Sequence, residues 1–265
     1  MSTRPLNGRC ALVTGSTAGI GLAIADELGK QGADLVLNGF GIDGAIEDLR
    51  ASLEKRHGVR VTHHQADVSC RVEVQDLVDA AHAHGRGRVD ILVNNAGYSI
   101  EAPTESFGIE AWDHQVAVNL SAPFHAIRCT LPGMRLRGWG RIVNVASVLG
   151  LVAVPNRIGY VATKHALIGL TKVVALETAG TAITCNAVCP GLVGNDRVRE
   201  SHRKQALETR QSPEEVQRQV MALRQPSGNY IPSEDVAAMV AYLCGPHASE
   251  VRGAAWTLDG GWSAR

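Results

Sequence analysis

Short apolar runs of strand length alternate with longer helical patterns along most of the chain. The apolar runs cover residues 9–14, 33–38, 59–64, 89–94, 141–146, 182–188 and 254–258. Helical patterns follow the first run through residue 28 and then cover about 42–57, 70–84, 111–137, a segment around residue 160, and 234–244. Strands and helices that alternate at these lengths favour parallel strands joined by right-handed crossovers. The pattern therefore predicts an α/β fold, with one doubly wound parallel sheet of about seven strands and helices on both faces.

The alternation stops between Gly194 and Asn229, where charged residues are dense and only a weak helical periodicity remains. This segment begins just after the sixth strand, at the edge of the sheet where ligands of such folds bind. We interpret residues 195–229 as a helical substrate lid, and the alternative is a solvated helical pair without that role. No linker or repeat divides the chain, so residues 1–265 are expected to form a single domain.

Composition and charge exclude several classes of function. Hydrophobic residues make up 45% of the 265 residues and charged residues 20%, which is typical of an ordinary soluble protein. The 26 basic residues equal the 26 acidic residues in number, which argues against nucleic acid or an anionic membrane as a partner. No apolar segment has the length or position of a membrane span or signal peptide, so we expect a cytoplasmic protein. The six scattered cysteines favour reduced thiols over disulfides, and no metal site is expected.

A glycine-rich turn follows the first strand directly and precedes the first helix. Its glycines are Gly15, Gly19 and Gly21, in a GxxxGxG spacing. Glycines let the backbone approach a pyrophosphate closely, and the N-terminus of the next helix offers free N–H groups and a favourable dipole. The turn therefore indicates a dinucleotide-binding site.

Other polar or turn residues also stand where predicted strands end. They are Asp67, Asn94, Ser147 and the Pro190-Gly191 turn. The carboxyl ends of parallel strands share one edge of the sheet, and ligands bind in a crevice outside that edge. We therefore expect these residues and the glycine turn to line one crevice.

Tyr160 and Lys164 offer the most useful chemistry in the chain. Because they are four residues apart on a predicted helix, they share one face, with the ammonium beside the phenol. A nearby cation favours the phenolate, which makes the hydroxyl a better proton donor and acceptor near neutral pH. The same spacing also occurs by chance, so the pair gains its meaning from the crevice around it.

Together these motifs resemble the short-chain dehydrogenase/reductase family along essentially the whole chain. The matching stretches are residues 14–21, 67–68, 94–97, 119, 147, 160 with 164, 190–191 and 259–261. The resemblance implies a Rossmann-type fold and hydride transfer between a nicotinamide and a secondary alcohol or ketone. A non-catalytic dinucleotide sensor is the alternative of another class, although such a protein could discard the catalytic residues that are present here.

The resemblance also implies roles for four residues. Tyr160 would be the general acid/base, and Ser147 would bind the substrate oxygen while charge develops on it. Lys164 would bind the nicotinamide ribose beside Tyr160. Asn119 would fix a water through which Lys164 exchanges protons with solvent. Taken alone, Asn119 or Ser147 would be better explained as the cap of a helix or strand.

The cofactor contacts that the resemblance implies come from most of the strand ends. They are Gly15, Thr17, Gly19, Ile20, Gly21, Phe40, Asp67, Val68, Asn94, Ala96, Gly97, Tyr160, Lys164, Pro190, Gly191 and Val193. The second strand ends in Asn38-Gly39-Phe40-Gly41, which has neither the carboxylate that suits NAD nor the cation that suits NADP. Charge alone leaves the choice open, and the absence of Arg and Lys argues for NAD.

Five further stretches are similar to the D-3-hydroxybutyrate dehydrogenase branch of that family, whose members use NAD. They are residues 37–41, 56–61, 138–142, 170–179 and 251–256. Members of the branch typically clamp the substrate carboxylate with Gln, His and Lys, where this chain has Ser99, Leu149 and Arg157. Leu192 stands in the place of a Trp, and Asn195 in the place of a Thr.

These replacements change the expected pocket. Leu149 removes a hydrogen bond that would be strong to a carboxylate, whereas Arg157 keeps a positive charge and could bind a carboxylate in bidentate fashion. We therefore expect a roomier, more apolar pocket and an NAD-dependent dehydrogenase for a bulkier secondary alcohol or ketone, aromatic or alicyclic. D-3-hydroxybutyrate dehydrogenase proper is the alternative. The resemblance suggests a homotetramer, and Trp256 and Trp262 fit an interface or the core equally well.

Overall fold

The computed structural model describes residues 4–194 and 196–264. Its strands are β1 (Cys10–Val13), β2 (Asp34–Leu37), β3 (Val61–His63), β4 (Ile91–Asn94), β5 (Gly140–Val145), β6 (Ile183–Pro190) and β7 (Ala255–Leu258). They form one sheet in the order β3-β2-β1-β4-β5-β6-β7, and every neighbouring pair is parallel. The α/β fold with a seven-stranded parallel sheet is therefore confirmed.

The helices lie close to their predicted positions. They are α1 (Gly19–Lys30), α2 (Asp43–His57), α3 (Arg71–His84), α4 (Ile109–Val116), α5 (Ala122–Arg137), α6 (Ile158–Glu177), α7 (Asp196–Thr209), α8 (Pro213–Arg224) and α9 (Ser233–Cys244). The predicted helix over 111–137 is divided into α4 and α5 by a π-helical turn, Ala117–Ser121, which contains Asn119.

The central strands are buried throughout because helices cover both faces of the sheet. Every residue of β1, β4, β5 and β6 is buried, as expected for a parallel sheet between two helical layers. One hydrophobic cluster contains Ile24 of α1 and Val236 of α9. A second contains Leu77 of α3 and Met134 of α5. The two layers leave the carboxyl edge of the sheet accessible.

The strand order reverses beside β1. The chain goes from β1 outward to β2 and β3, and then returns to place β4 on the other side of β1. A crevice opens at such a reversal, just outside the carboxyl ends of the strands. This is the edge to which the glycine turn, Asp67 and Ser147 were assigned.

The charged segment after β6 forms the two helices α7 and α8. Ser212 and Glu215 make a reciprocal capping box at the start of α8, which explains why a helix begins in so polar a sequence. Gln225, fully buried, accepts a hydrogen bond of 2.7 Å from the Leu192 N–H and so ties the end of α8 to the turn after β6. Asn195 lies outside the described residues, and the single domain and the lid role of residues 195–229 stay predictions.

The described residues also bear on membranes, metals and thiols. No helix among them is long and apolar enough to cross a bilayer. In the same part of the chain, no three His, Cys, Asp or Glu side chains group as metal ligands would. The six cysteines are unpaired, and Cys10, Cys185, Cys189 and Cys244 are buried.

Candidate active site

A large cleft of about 2040 Å³ runs along the carboxyl edge of the sheet and under α7 and α8. It brings together most of the residues that the sequence singled out. They are Gly15, Thr17, Gly19, Ile20, Gly21, Phe40, Asp67, Val68, Ala96, Gly97, Ser99, Ser147, Leu149, Arg157, Tyr160, Lys164, Pro190, Gly191, Leu192 and Val193.

Two expected residues, Asn94 and Asn119, lie behind the cleft wall. Asn94 is 3% exposed and donates a hydrogen bond of 2.8 Å to the side-chain oxygen of Asn144 on the neighbouring strand β5. Its neighbour Asn95 lines the cleft instead. Since successive side chains of a strand point to opposite faces, only one of two adjacent asparagines can face the glycine turn. The cofactor contact expected of Asn94 stays a prediction.

Asn95 ties the glycine turn to the end of β4. Its side-chain amide donates to the carbonyl oxygens of Thr14 and Gly15 at 2.9 and 3.0 Å. A Cβ on Gly21 would lie 2.2 Å from the Gly15 oxygen and 2.4 Å from the Asn95 amide nitrogen. Glycine is therefore required at position 21 for the turn, the strand end and α1 to meet.

The N-terminus of α1 fits an anionic group. The helix begins at Gly19, no side chain caps it, and its first turn contains no acidic residue. Gly19 has φ +56°, and a Cβ there would meet no atom within 4 Å, so the turn opens directly onto the cleft. Uncapped N–H groups and the helix dipole suit the pyrophosphate of a dinucleotide.

The end of β2 forms the other side of this half of the cleft. The Asn38 side chain accepts from the Gly15 N–H at 3.3 Å and donates to the carbonyls of His64 and Ala66, so it braces the turn. A Cβ on Gly39 would lie 2.7 Å from the Thr17 hydroxyl oxygen, so no longer side chain fits there. Phe40 is 61% exposed and lines the cleft. Its neighbours from 38 to 41 include no cation.

Asp67 marks the cleft wall at the end of the β3 loop. Hydrogen bonds from the Ser69 side chain and backbone N–H lower the pKa of its carboxyl group, and the backbone N–H donates at 2.8 Å. The carboxylate form is therefore favoured at neutral pH. Asp67 and Val68 border the cleft as expected.

Lys164 is buried at the centre of the cleft floor, at 3% exposure. Its ammonium donates to the Val145 carbonyl at 2.7 Å and lies 5.6 Å from the centroid of the Tyr160 ring. Burial lowers the Lys164 pKa from 10.5 to about 8, against a smaller opposite effect of Cys189. The predicted one-face arrangement of Tyr160 and Lys164 on α6 is therefore present in the structure.

Asn119 supports this floor from behind. Its side chain accepts from the Tyr98 N–H at 3.1 Å and donates to the Tyr98 carbonyl at 2.9 Å. A Cβ on Gly97 would lie 3.1 Å from the Asn119 side-chain oxygen and 3.5 Å from the Lys164 nitrogen. Single π-helical turns frequently occur at functional sites. Asn119 therefore lies close to Lys164, and its expected role at a water stays a prediction.

Ser147 reaches the cleft from the loop after β5. Its hydroxyl oxygen accepts from the Leu149 N–H at 3.1 Å and so caps the short 3-10 turn Val148–Gly150. A serine hydroxyl that accepts one hydrogen bond still has its proton to donate. Ser147 can thus stabilise an oxygen that gains negative charge in the cleft.

The far end of the cleft is more polar than the sequence suggested. The Arg157 guanidinium donates to the Ser99 hydroxyl at 2.9 Å and forms an ion pair of 2.7 Å with Glu101. Arg224, the last residue of α8, and Leu223 also line the cleft. Burial lowers the pKa of Arg224, and the positive charge of nearby Arg157 lowers it further. Sequence reasoning missed Glu101 and Arg224. Nothing in the charge pattern of residues 195–229 distinguishes Arg224 from the other arginines there.

Comparison with known proteins gives a consistent result. The family model described as short chain dehydrogenase matches residues 9–206. D-beta-hydroxybutyrate dehydrogenase of Cupriavidus necator is 44% identical over 98% of this chain and 100% of its own, and that of Rhizobium meliloti is 44% identical over 97% and 99%. L-sorbose reductase of Gluconobacter frateurii, solved with NADPH and L-sorbose, has a TM-score of 0.92 at 30% identity, with 98% of each chain covered. Actinorhodin polyketide ketoreductase with NADPH has a TM-score of 0.90 at 37% identity, with both chains fully covered.

The pKa of Lys164 predicts how stability depends on pH. Between about pH 8 and 10.5 the unfolded chain binds a proton at this lysine that the folded chain does not bind, so folding stability rises with pH in that window. Below about pH 8 the folded chain also binds this proton, so the penalty for a buried ammonium is fully present. The variant Lys164→Met has no ammonium at this position, so its folding stability lacks this dependence on pH. We expect the stability of wild type relative to the variant to rise by about 2 kcal/mol from pH 7 to pH 9.5 in urea unfolding. A constant difference would contradict the buried-ammonium description.

Proposed function

The chain belongs to the short-chain dehydrogenase family, whose members act on CH–OH donors with a nicotinamide dinucleotide, and on that premise we propose that it interconverts a secondary alcohol and a ketone with NAD. The observation that carries the proposal is the position of Tyr160 beside the buried Lys164, in the same cleft as Ser147 and the uncapped glycine turn. A bound nicotinamide supplies or accepts the hydride.

The side chains of the cleft divide the remaining work. Tyr160 gives its proton to the carbonyl oxygen in reduction and takes it back in oxidation. Ser147 donates a hydrogen bond to that oxygen while it gains negative charge. Lys164 would bind the ribose, and it keeps a positive charge beside the Tyr160 phenol. Asn119 would fix a water through which Lys164 exchanges protons with solvent. The proposed cofactor contacts are the expected residues that line the cleft, together with Asn95. Asn94 would act indirectly, through its hydrogen bond to Asn144 behind the cleft wall.

The choice of NAD rests on the end of β2. NADP carries a phosphate on the adenosine ribose, and a site for it needs a cation close by. Residues 15–21 and 38–41 contain no Lys or Arg. The Gly39 backbone approaches Thr17 too closely for a longer side chain at that position. Phe40 offers an exposed ring next to this site, which suits an uncharged ribose and adenine.

The proposed substrate has an apolar body larger than that of 3-hydroxybutyrate. Leu149 and Leu192 line the cleft where the related branch has polar or larger residues, and Leu223 of α8 lines the same cleft. These contacts favour an aromatic, alicyclic or long-chain substituent on the carbinol carbon. The alternative is D-3-hydroxybutyrate itself, which the names of the 44%-identical relatives favour.

Two further features complete the proposal. We propose residues 195–229 as the substrate lid, since α7 and α8 contribute Lys204, Leu223 and Arg224 to the cleft.

We also propose a homotetramer, because apolar side chains are exposed on the outer helices. Among them are Phe124 of α5 and Val173 and Leu176 of α6, whose exposed fractions are 48%, 55% and 78%. Exposed apolar patches of this kind mark association surfaces.

The catalytic proposal predicts the result of a turnover assay. With NAD+ and a bulky secondary alcohol, wild type should form NADH, and Tyr160→Phe should lower kcat by about 10²- to 10⁴-fold while NAD+ still binds, because only the proton-transfer group is lost. Retained biological activity in Tyr160→Phe would instead favour the non-catalytic sensor. Efficient turnover of D-3-hydroxybutyrate, at or above that of the bulkier alcohols, would contradict the proposed apolar pocket.

The coenzyme proposal predicts a preference that one substitution weakens. We expect kcat/KM for NAD+ to exceed that for NADP+ by at least about 10-fold, since residues 15–21 and 38–41 offer no cation to the ribose phosphate. Phe40→Arg should narrow this ratio by raising kcat/KM for NADP+. Phe40→Leu is the matched control, because it changes the ring without adding a cation. A wild-type preference for NADP+ would show that a cation elsewhere binds the phosphate.

The assembly proposal is tested by sedimentation velocity. Wild type should sediment with the mass of four chains. Leu176→Glu on α6 should yield smaller species, because a carboxylate would then be buried at the contact. A wild-type monomer at micromolar concentration would rule the tetramer out.

A further inference from the structure

Gln225, which follows the last residue of α8, is a polar side chain with no exposure to solvent. It lies close to the point where the charged segment 195–229 rejoins the body of the protein. We propose that its amide is a positioning group, which fixes the turn after β6 to the end of α8 and so couples coenzyme binding to the position of α7 and α8. The inference rests on the proposed function, in which that turn contacts the coenzyme and α8 borders the substrate.

The two ends of the charged segment are joined by backbone hydrogen bonds. The Gly194 N–H donates to the Ile231 carbonyl at 3.0 Å, and the Ile231 N–H donates to the Leu192 carbonyl at 2.9 Å. Val193 and Ile231 thus form a short parallel bridge. In the described part of the chain, α7 and α8 pack against each other and make no more than slight contact with any other helix or strand. This junction is therefore the principal connection between the two helices and the sheet.

The Gln225 amide completes the junction. Its oxygen accepts a hydrogen bond from the Leu192 N–H at 2.7 Å. Its nitrogen donates to the Leu192 carbonyl at 3.4 Å and to the Asn229 carbonyl. One amide thus bonds to backbone groups on both sides of the segment. Buried backbone groups that lose such a partner are unfavourable, so the turn and the end of α8 are held in one arrangement.

The chain around Gln225 leaves its side chain little space. A Cβ on Gly191 would lie 2.9 Å from the Gln225 oxygen, and one on Gly260 would lie 2.7 Å from the Gln225 Cγ. The Ser227 N–H also donates to the Gly260 carbonyl at 3.0 Å, which holds the residues after Gln225 to the loop after β7. The amide therefore cannot shift without a shift of the turn that contains Gly191.

The same turn and the same helix border the cleft. Residues 190–193 line it from the end of β6, and Leu223, two residues before Gln225, lines it from α8. A coenzyme that fixes the turn would also fix the end of α8, because Gln225 connects the two. Coupling of this kind is reciprocal, so placement of α8 over the substrate would in turn strengthen coenzyme binding.

Proteolysis of α7 and α8 tests the coupling. The rate of tryptic cleavage within residues 203–224 is measured with and without NAD+, for wild type, Gln225→Met and Gln217→Met, with saturation by NAD+ established by calorimetry. Methionine keeps the length of glutamine and lacks its hydrogen-bonding groups. Gln217 is the matched control, because it lies on the same helix, is partly exposed and does not line the cleft.

We expect saturating NAD+ to slow the cleavage of wild type and of Gln217→Met by roughly 10-fold. In Gln225→Met it should slow cleavage by less than about two-fold, since the hydrogen bonds that carry the coupling are lost. Because α8 borders the substrate, KM for the alcohol should also rise roughly 3- to 10-fold in this variant while kcat changes little.

Gln225→Glu gives a second readout, which a purely structural role would not change. A protonated glutamic acid offers a donor and an acceptor, as glutamine does, whereas its carboxylate only accepts and would face the Leu192 and Asn229 carbonyls. Burial raises the pKa of such a carboxyl group. Protection by NAD+, relative to wild type at the same pH, should therefore decrease in this variant as the pH rises from about 6 to 8.

Other results would overturn the inference. They are equal protection by NAD+ in Gln225→Met and wild type, no protection in wild type, or protection in Gln225→Glu that follows wild type at every pH. If Gln225→Met does not fold, Gln225→Glu makes the same comparison within one protein. Absence of NADH formation with every alcohol would count against the proposed function instead. The proteolysis result would still decide the role of Gln225, because it requires only bound coenzyme.

Discussion

The site depends on the burial of one ammonium group. Lys164 lies at 3% exposure, and among the described residues its ammonium has one hydrogen-bond acceptor, the Val145 carbonyl. Burial of a charge costs several kcal/mol unless partners compensate it. The helix that contains it must therefore approach β5 closely. A Cβ on Gly150 would lie 2.8 Å from the Lys164 carbonyl oxygen, and one on Gly159 would lie 2.3 Å from the Gln115 side-chain oxygen. These two glycines allow α6 to pack where the ammonium meets the end of β5, and this position also sets Tyr160.

Much of this arrangement could be predicted from the sequence, because the sheet imposes it. Period and length determine which segments are strands, and parallel strands bring their carboxyl ends to one edge, so Asp67, Ser147 and the glycine turn had to converge. The direction of a single side chain at a strand end was harder to predict, because one residue of shift changes it. Asn94 and Asn95 stand at the same strand end, and the pleat sends one toward Asn144 and the other toward the cleft. The π turn at Asn119 had no sequence signal, since its residues fit a regular helix equally well.

Contacts between distant segments were beyond the reach of sequence patterns. Glu101 follows β4 and Arg224 ends α8, and only the fold places both at the cleft end that contains Arg157. The expectation of an apolar pocket came from Ser99, Leu149 and Leu192, which replace more polar or larger residues. In the folded chain both leucines line the cleft, and so do Arg157, Glu101 and Arg224. The cleft lining therefore combines apolar and charged side chains.

The central claim is that the carbinol hydrogen of a substrate passes directly to a nicotinamide in this cleft. The most direct measurement is mass spectrometry of the NADH formed from NAD+ and a secondary alcohol with deuterium on its carbinol carbon. The account predicts that essentially all NADH carries one deuterium. NADH without deuterium, or with label lost to solvent, would contradict it.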